Sequence, residues 1–168
     1  MTTKKTTTPA ATSAALVVRW ATPRDMASQL DVERAWRHEK EDYWGADDLP
    51  AFLPGASHWR GSLVAEHPVR GVIGHMQFVS REKDVALLNV STHPAYCNLG
   101  VARRLVSTLT STLPRKYRRG VVNAVARERD LPTHLFLKAC GFRCHACIPD
   151  FFRLPDDGGY HFQYEAKH

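Results

Sequence analysis

The chain has 168 residues, of which 43% are hydrophobic and 24% charged, which suits one soluble globular domain with a substantial core. A formal net charge of +6 makes its surface attractive to polyanions. Charge discriminates weakly by itself, however, and one short basic cluster without a companion motif argues against nucleic acid. No apolar run approaches the roughly 20 residues that a membrane helix needs, so the expectation is a cytoplasmic protein with no membrane partner.

Residues Met1 to Ala14 are mostly Thr, Ala and Lys and lack the apolar middle of a signal peptide. They are expected to form a disordered tail ahead of a single domain over residues 15–168. The run Leu16 to Trp20 has the content of a first strand, and Thr22 or Asp25 can cap the helix that follows, in which Met26, Leu30 and Val32 carry apolar spacing toward Trp36. A short helix over Leu49 to Leu53 would have Pro50 in its first turn, Phe52 inward and Pro54-Gly55 as its stop.

Two β-like runs, Ser62 to Glu66 and Gly71 to Val79, flank the hairpin turn His67 to Arg70. A third strand is expected over Val85 to Val90, after the solvated turn Arg81 to Asp84. Then comes Ser91-Thr92-His93-Pro94-Ala95-Tyr96-Cys97-Asn98-Leu99-Gly100-Val101-Ala102-Arg103-Arg104, a tight glycine-bearing turn that opens a basic helix. Free amides at a helix N-terminus carry partial positive charge, and a residue without a side chain lets an anion approach them. With Arg103 and Arg104 beside those amides, the favoured ligand is multiply charged, as a pyrophosphate is.

The helix continues through Leu105, Val106, Leu109 and Leu113, with Pro114 expected to end it and Arg115 to Arg119 to form a solvated basic loop. Val121 to Ala126 is an almost continuous apolar strand, expected to be covered on both faces and to run parallel to the Val85 strand because a helix joins them. Asp130 can cap the next helix, Pro132 fits its first turn and Gly141 its stop; Tyr160 to Glu165 would close the sheet as an edge strand. Cys140, Cys144 and Cys147 crowd beside His145, but a fourth ligand at ordinary spacing is missing, so small reduced thiols are expected and no metal.

Strand, cradle, helix, strand and helix together resemble the GNAT superfamily of acyl-CoA N-acyltransferases. The pyrophosphate signature of that family, Q/R-x-x-G-x-G/A, reads here Cys97-Asn98-Leu99-Gly100-Val101-Ala102, with Cys97 departing at the first position. Pro94, Tyr96, Gly141-Phe142 and Pro149-Asp150-Phe151-Phe152 also match, and the likeness is greatest to ribosomal-protein alanine N-acetyltransferases, over roughly Val17 to Glu165. The resemblance implies an α/β (α+β) fold: a mixed, mostly antiparallel sheet with a splayed parallel central strand pair, flanked by helices. It implies acetyl-CoA as co-substrate and an amine as acceptor, above all a protein N-terminal α-amine. A small-molecule amine acetyltransferase and a non-catalytic CoA-binding module are the alternatives.

The same resemblance assigns Val90, Ser91 and Thr92 to the pantetheine and the acetyl carbonyl, and Cys97, Asn98, Leu99, Gly100, Val101, Ala102 and Arg103 to the pyrophosphate. Asp130 stands where the relatives commonly have an Asn on the cofactor. Val125 and Leu137 fall where the family's general-base Glu and proton-donating Tyr belong, and neither side chain can move a proton. His93, Glu128 and Glu66 are the substitute proton carriers in the sequence. Trp36, Tyr43, Trp44, Phe151 and Phe152 could line an acceptor groove or pack the core.

Overall fold

A computed structural model describes residues 16–36, 51–52, 60–116, 120–152 and 157–166. The tail over Met1 to Ala14 lies outside the described residues, as do Tyr43, Trp44 and most of the expected Leu49 to Leu53 helix; Phe52 is described and is buried, as expected. In chain order the elements are β1 (Val17–Trp20), α1 (Met26–Arg34), β2 (Arg60–His67), β3 (Gly71–Ser80), β4 (Val85–Thr92), α2 (Val101–Lys116), β5 (Val121–Arg127), α3 (Leu131–Ala139), β6 (Arg143–Ile148) and β7 (Gly159–Glu165). They form one seven-stranded sheet of order β1-β2-β3-β4-β5-β7-β6, in which β4 and β5 alone pair in parallel.

Period-two alternation divides the sheet into two unlike faces. On one, Leu63, Met76, Phe78, Leu87, Val122, Ala124 and Phe162 pack against Val101, Leu105, Val106 and Leu109 of α2 and Leu137 of α3 in a single buried cluster. The other carries Ser62, His75, Gln77 and Asn89, all bonded within a polar layer that reaches α1. α1 starts from a capped turn in which the backbone N–H and the hydroxyl of Thr22 both donate to Asp25 Oδ2, at 2.7 and 2.8 Å. Arg19 holds the same carboxylate through two 2.8 Å bonds, which keeps its pKa well below the usual carboxylate range and ties α1 to β1.

Asp130 caps α3 as expected, accepting from the Thr133 backbone at 3.1 Å and from the Thr133 hydroxyl at 2.6 Å. Removing an N-cap carboxylate generally costs about 1 kcal/mol, so Asp130→Ala is expected to lower the stability measured by urea unfolding by about that amount. A change below a few tenths would count against the cap.

Three expectations need correction. α2 does not stop at Pro114 but runs to Lys116; the proline sits in the last turn, where its missing N–H forfeits a bond in a helix that ends two residues later. β7 is not an edge strand: it lies between β5 and β6, and β6 forms the edge, its residues 143–147 exposed. The β6–β7 register slips between Cys144 and Ala146, leaving His145 as an extra residue. Last, β5 is covered on one face only, with Val122, Ala124 and Ala126 buried while Val121, Asn123, Val125 and Arg127 are half-open. The open face is polar, for Asn123 Oδ1 there receives His161 Nε2 at 3.0 Å and Gln163 Nε2 at 3.3 Å.

Candidate cofactor and acceptor site

β4 and β5 stay together only from Val85–Leu87 against Val122–Ala124. At that point β4 bulges, because Gln77 faces Asn89 while Phe78 faces Leu87, so Leu88 is the extra residue. Beyond it β4 remains with β3 as far as Thr92, and a gap opens toward β5. The His93 N–H donates to Ile73 O of β3 at 2.9 Å. By the alternation of an antiparallel ladder, Ser91 also directs its backbone groups to β3, whereas Val90 and Thr92 direct theirs to the side that β5 has left. Thr92 O on that side accepts the Trp36 indole N–H at 2.8 Å, which pins the end of α1 across the end of β4.

The chain then turns through residues 94–96, where His93 Nδ1 accepts the Ala95 N–H at 3.2 Å. Asn98 (φ 62°) and Gly100 (φ 79°) both adopt the left-handed conformation. Arg104 N–H to Gly100 O, at 3.0 Å, is the first bond of α2, so the amides of Val101, Ala102 and Arg103 have no carbonyl in their own helix. No acidic residue stands in that first turn. A Cβ built on Gly100 would meet nothing within 4 Å, so the space beside those amides is open. Thr92 Oγ1, near Gly74, is buried with no hydrogen-bond partner, a deficit of about 1–3 kcal/mol.

Gly74 of β3 brings this turn close to the sheet. A Cβ there would stand 2.8 Å from Val101 Cγ1 and 3.0 Å from Ser91 O. Arg103 lies near Cys140, whose thiol is pushed up in pKa by burial more than the guanidinium pulls it down. Cys97 is half-buried, its Sγ 3.8 Å from both Thr92 O and His93 O. The turn thus offers a chemistry suited to a di-anionic phosphate: free helix amides, two exposed arginines and open space at Gly100.

The residues considered for proton transfer are spread more widely. Glu66 accepts from Arg19 Nε at 2.6 Å on β2, and β3 stands between it and β4. Glu128 follows β5, where its N–H donates to Gly158 O at 2.9 Å. His93 packs edge-on against Tyr96 at the cradle. Val125 is half-buried on the open face of β5, while Leu137 is buried in the core. Asp130 spends its carboxylate on the α3 cap. Phe151 and Phe152 meet edge to face beside Gly159, with Arg127 over the Phe152 ring and paired to Asp157. Among the described residues no three His, Cys, Asp or Glu side chains converge as a metal site would require, and Cys144 and Cys147 are exposed on β6.

Sequence reasoning missed a buried chain of polar groups beside the gap. Gln77 Nε2 lies 2.8 Å from His75 Nδ1; His75 Nε2 lies 2.6 Å from Glu33 Oε1 in a bent arrangement; Asn89 Nδ2 donates to that same oxygen at 2.9 Å. His75 is wholly buried, and Glu33 and Gln77 nearly so. The signal was present in the spacing: Gln29 and Glu33 four apart on one helix face, and His75/Gln77 and Asn89/Ser91 two apart in otherwise apolar strands.

A parallel strand pair parts beyond a bulge, and a left-handed turn with free helix amides follows the end of its first strand. The model of the acetyltransferase (GNAT) family matches residues 27–142, and the chain belongs to that family. Solved structures agree on the fold. Arabidopsis thaliana NAA60 in complex with a bisubstrate analogue superposes with a TM-score of 0.74 at 16% identity, over 90% of this chain and 98% of its own. For the ribosomal-protein-S18-alanine N-acetyltransferase of Escherichia coli the values are 0.75, 9%, 91% and 95%. For a spermidine N-acetyltransferase chimera from Vibrio cholerae and hSSAT they are 0.76, 12%, 90% and 96%. No curated protein matches the chain by sequence. No helix among the described residues is long and apolar enough to cross a membrane.

Proposed function

We propose that the protein transfers the acetyl group of acetyl-CoA to a primary amine, with a protein N-terminal α-amine as the preferred acceptor, in the cytoplasm. The observation that carries this reading is the left-handed turn at Gly100, with open space beside the free amides of α2, beyond the stretch where β4 has left β5. At it the Val101, Ala102 and Arg103 amides, with Cys97, Asn98 and Leu99, would hold the diphosphate. Val90 and Thr92, with Ser91 between them, would line the path of the pantetheine. Asp130 would act on the cofactor indirectly, by fixing the start of α3.

Bound acetyl-CoA supplies a thioester: the amine nitrogen forms a C–N bond to its carbonyl carbon, the C–S bond breaks with the electron pair on sulfur, and the proton lost by nitrogen ends on sulfur or in solvent. The family's base and acid positions hold Val125 and Leu137, so this chain must act mainly by positioning. That can suffice. Holding two reactants in place contributes roughly 7–11 kcal/mol, against roughly 3–5 for one general acid or base. An α-amine, with a pKa of about 8, is also more readily neutral than a lysine at about 10.4, which favours the N-terminal acceptor.

The test is release of free thiol from acetyl-CoA in the presence of peptides with free N-termini and of small amines, spermidine among them. Thiol release is expected with at least one peptide. Release only with small amines would move the acceptor class. CoA binding without release above buffer would favour the second reading that Val125 and Leu137 support, a CoA-binding module without turnover.

A further inference from the structure

We infer that Asn89 is the residue that seats the acceptor amine, and that Glu33 and His75 are positioning residues that fix its amide. The inference rests on the acetyltransferase reading above and adds to it a specific acceptor contact. Asn89 is the first residue after the Leu88 bulge, at the point where β4 leaves β5, and it is half-exposed while the groups behind it are buried.

The direction of the hydrogen bonds follows from what each group can do. With Gln77 Nε2 as the donor to His75 Nδ1, the other imidazole nitrogen, Nε2, lies 2.6 Å from Glu33 Oε1 in too bent an arrangement to count as a hydrogen bond. A carboxylate only accepts, so the side of Asn89 that meets Glu33 must be its NH2 group. The Asn89 carbonyl oxygen is thereby turned the other way. Ser91 Oγ approaches it only at 3.4 Å, a long bond that leaves acceptor capacity on Oδ1. A carbonyl oxygen with spare acceptor capacity, on the first residue past the point where β4 leaves β5, suits one kind of incoming group, an N–H donor. By taking one amine hydrogen it would aim the nitrogen lone pair, without itself moving a proton.

The arrangement explains an otherwise costly core. A buried carboxylate beside a wholly buried imidazole contributes little to stability compared with apolar packing, and Glu33 Oε2 has no hydrogen-bond partner. Such a group is expected where an orientation must be enforced. A hydrophobic layer of the same volume would leave the Asn89 amide free to flip.

The experiment combines CoA calorimetry with acceptor kinetics, using a peptide with a free N-terminal alanine and, separately, spermidine. Asn89→Ala should raise the KM of the amine that is turned over at least tenfold, with CoA affinity within twofold of the parent. Glu33→Ala should do the same, and Glu33→Gln should restore most of the loss, because a Gln carbonyl of the same size can still accept from Asn89. An unchanged amine KM in Asn89→Ala, or Glu33→Gln as damaged as Glu33→Ala, overturns the proposal. If variants fail to fold, or neither probe is acetylated, the parent protein decides: in its CoA complex, saturable shifts of the Asn89 side-chain 15NH2 resonance with ethylamine support the seat, and their absence overturns it. Failure of the parent to bind CoA would instead remove the underlying acetyltransferase reading.

Discussion

Replacing Gly100 with glutamate is expected to weaken CoA binding at least a hundredfold, or about 2.8 kcal/mol, in calorimetry. Two separable effects act there. At φ 79° any L side chain is strained, by roughly 1–2 kcal/mol, and Gly100→Ala should show that strain alone as a loss of stability in urea. The carboxylate adds charge repulsion and takes up open space beside the first amides of α2. Raising the salt concentration should recover part of the loss in Gly100→Glu and little of it in Gly100→Ala. Unchanged CoA affinity in Gly100→Glu would show that the diphosphate lies elsewhere.

Gly74→Ala is expected to cost about 2 kcal/mol of stability. Its Cβ would stand 2.8 Å from Val101 Cγ1 and 3.0 Å from the carbonyl oxygen of Ser91, and overpacking of this kind typically costs about 1–3 kcal/mol. Since Val101 is the first residue of α2, relief by moving that helix would also shift the cradle, so CoA affinity should fall with stability. Val101→Ala removes the closer obstacle. In a double-mutant cycle it should cost stability alone, yet recover part of the loss in the Gly74→Ala background. A cost below about 0.5 kcal/mol for Gly74→Ala, or strict additivity, would mean that Gly74 does not set how closely α2 approaches β3.

Much of the fold was legible because the signals are local. Apolar runs bounded by turns gave β2, β3, β4 and β5 to within a residue or two, and Asp130 and Gly141 marked the ends of α3. The parallel β4–β5 pair followed from the helix between them. Strand order at the far side was not legible: nothing within Tyr160 to Glu165 says that β6 will add outside it, since pairing depends on tertiary contacts. Pro114 misled because the one bond it forfeits, in the last turn of a 16-residue helix, is a small cost against the turns already formed before it. In the site, the Gly100 turn was visible since glycine spacing is a backbone property, whereas the Glu33–His75–Asn89 chain joins residues 56 apart and shows itself only when α1 lies across β3 and β4.

The slip at His145 has a meaning for how this molecule lives among its own copies. An outer strand with its ladder groups facing water invites a neighbour to extend the sheet, and continued extension gives aggregates. The inserted residue spoils the even spacing that an incoming strand would need, and Arg143 adds charge at the same border. The sheet can therefore finish in solvent at β6, whose residues 143–147 are exposed, while the parting of β4 from β5 lies in its interior.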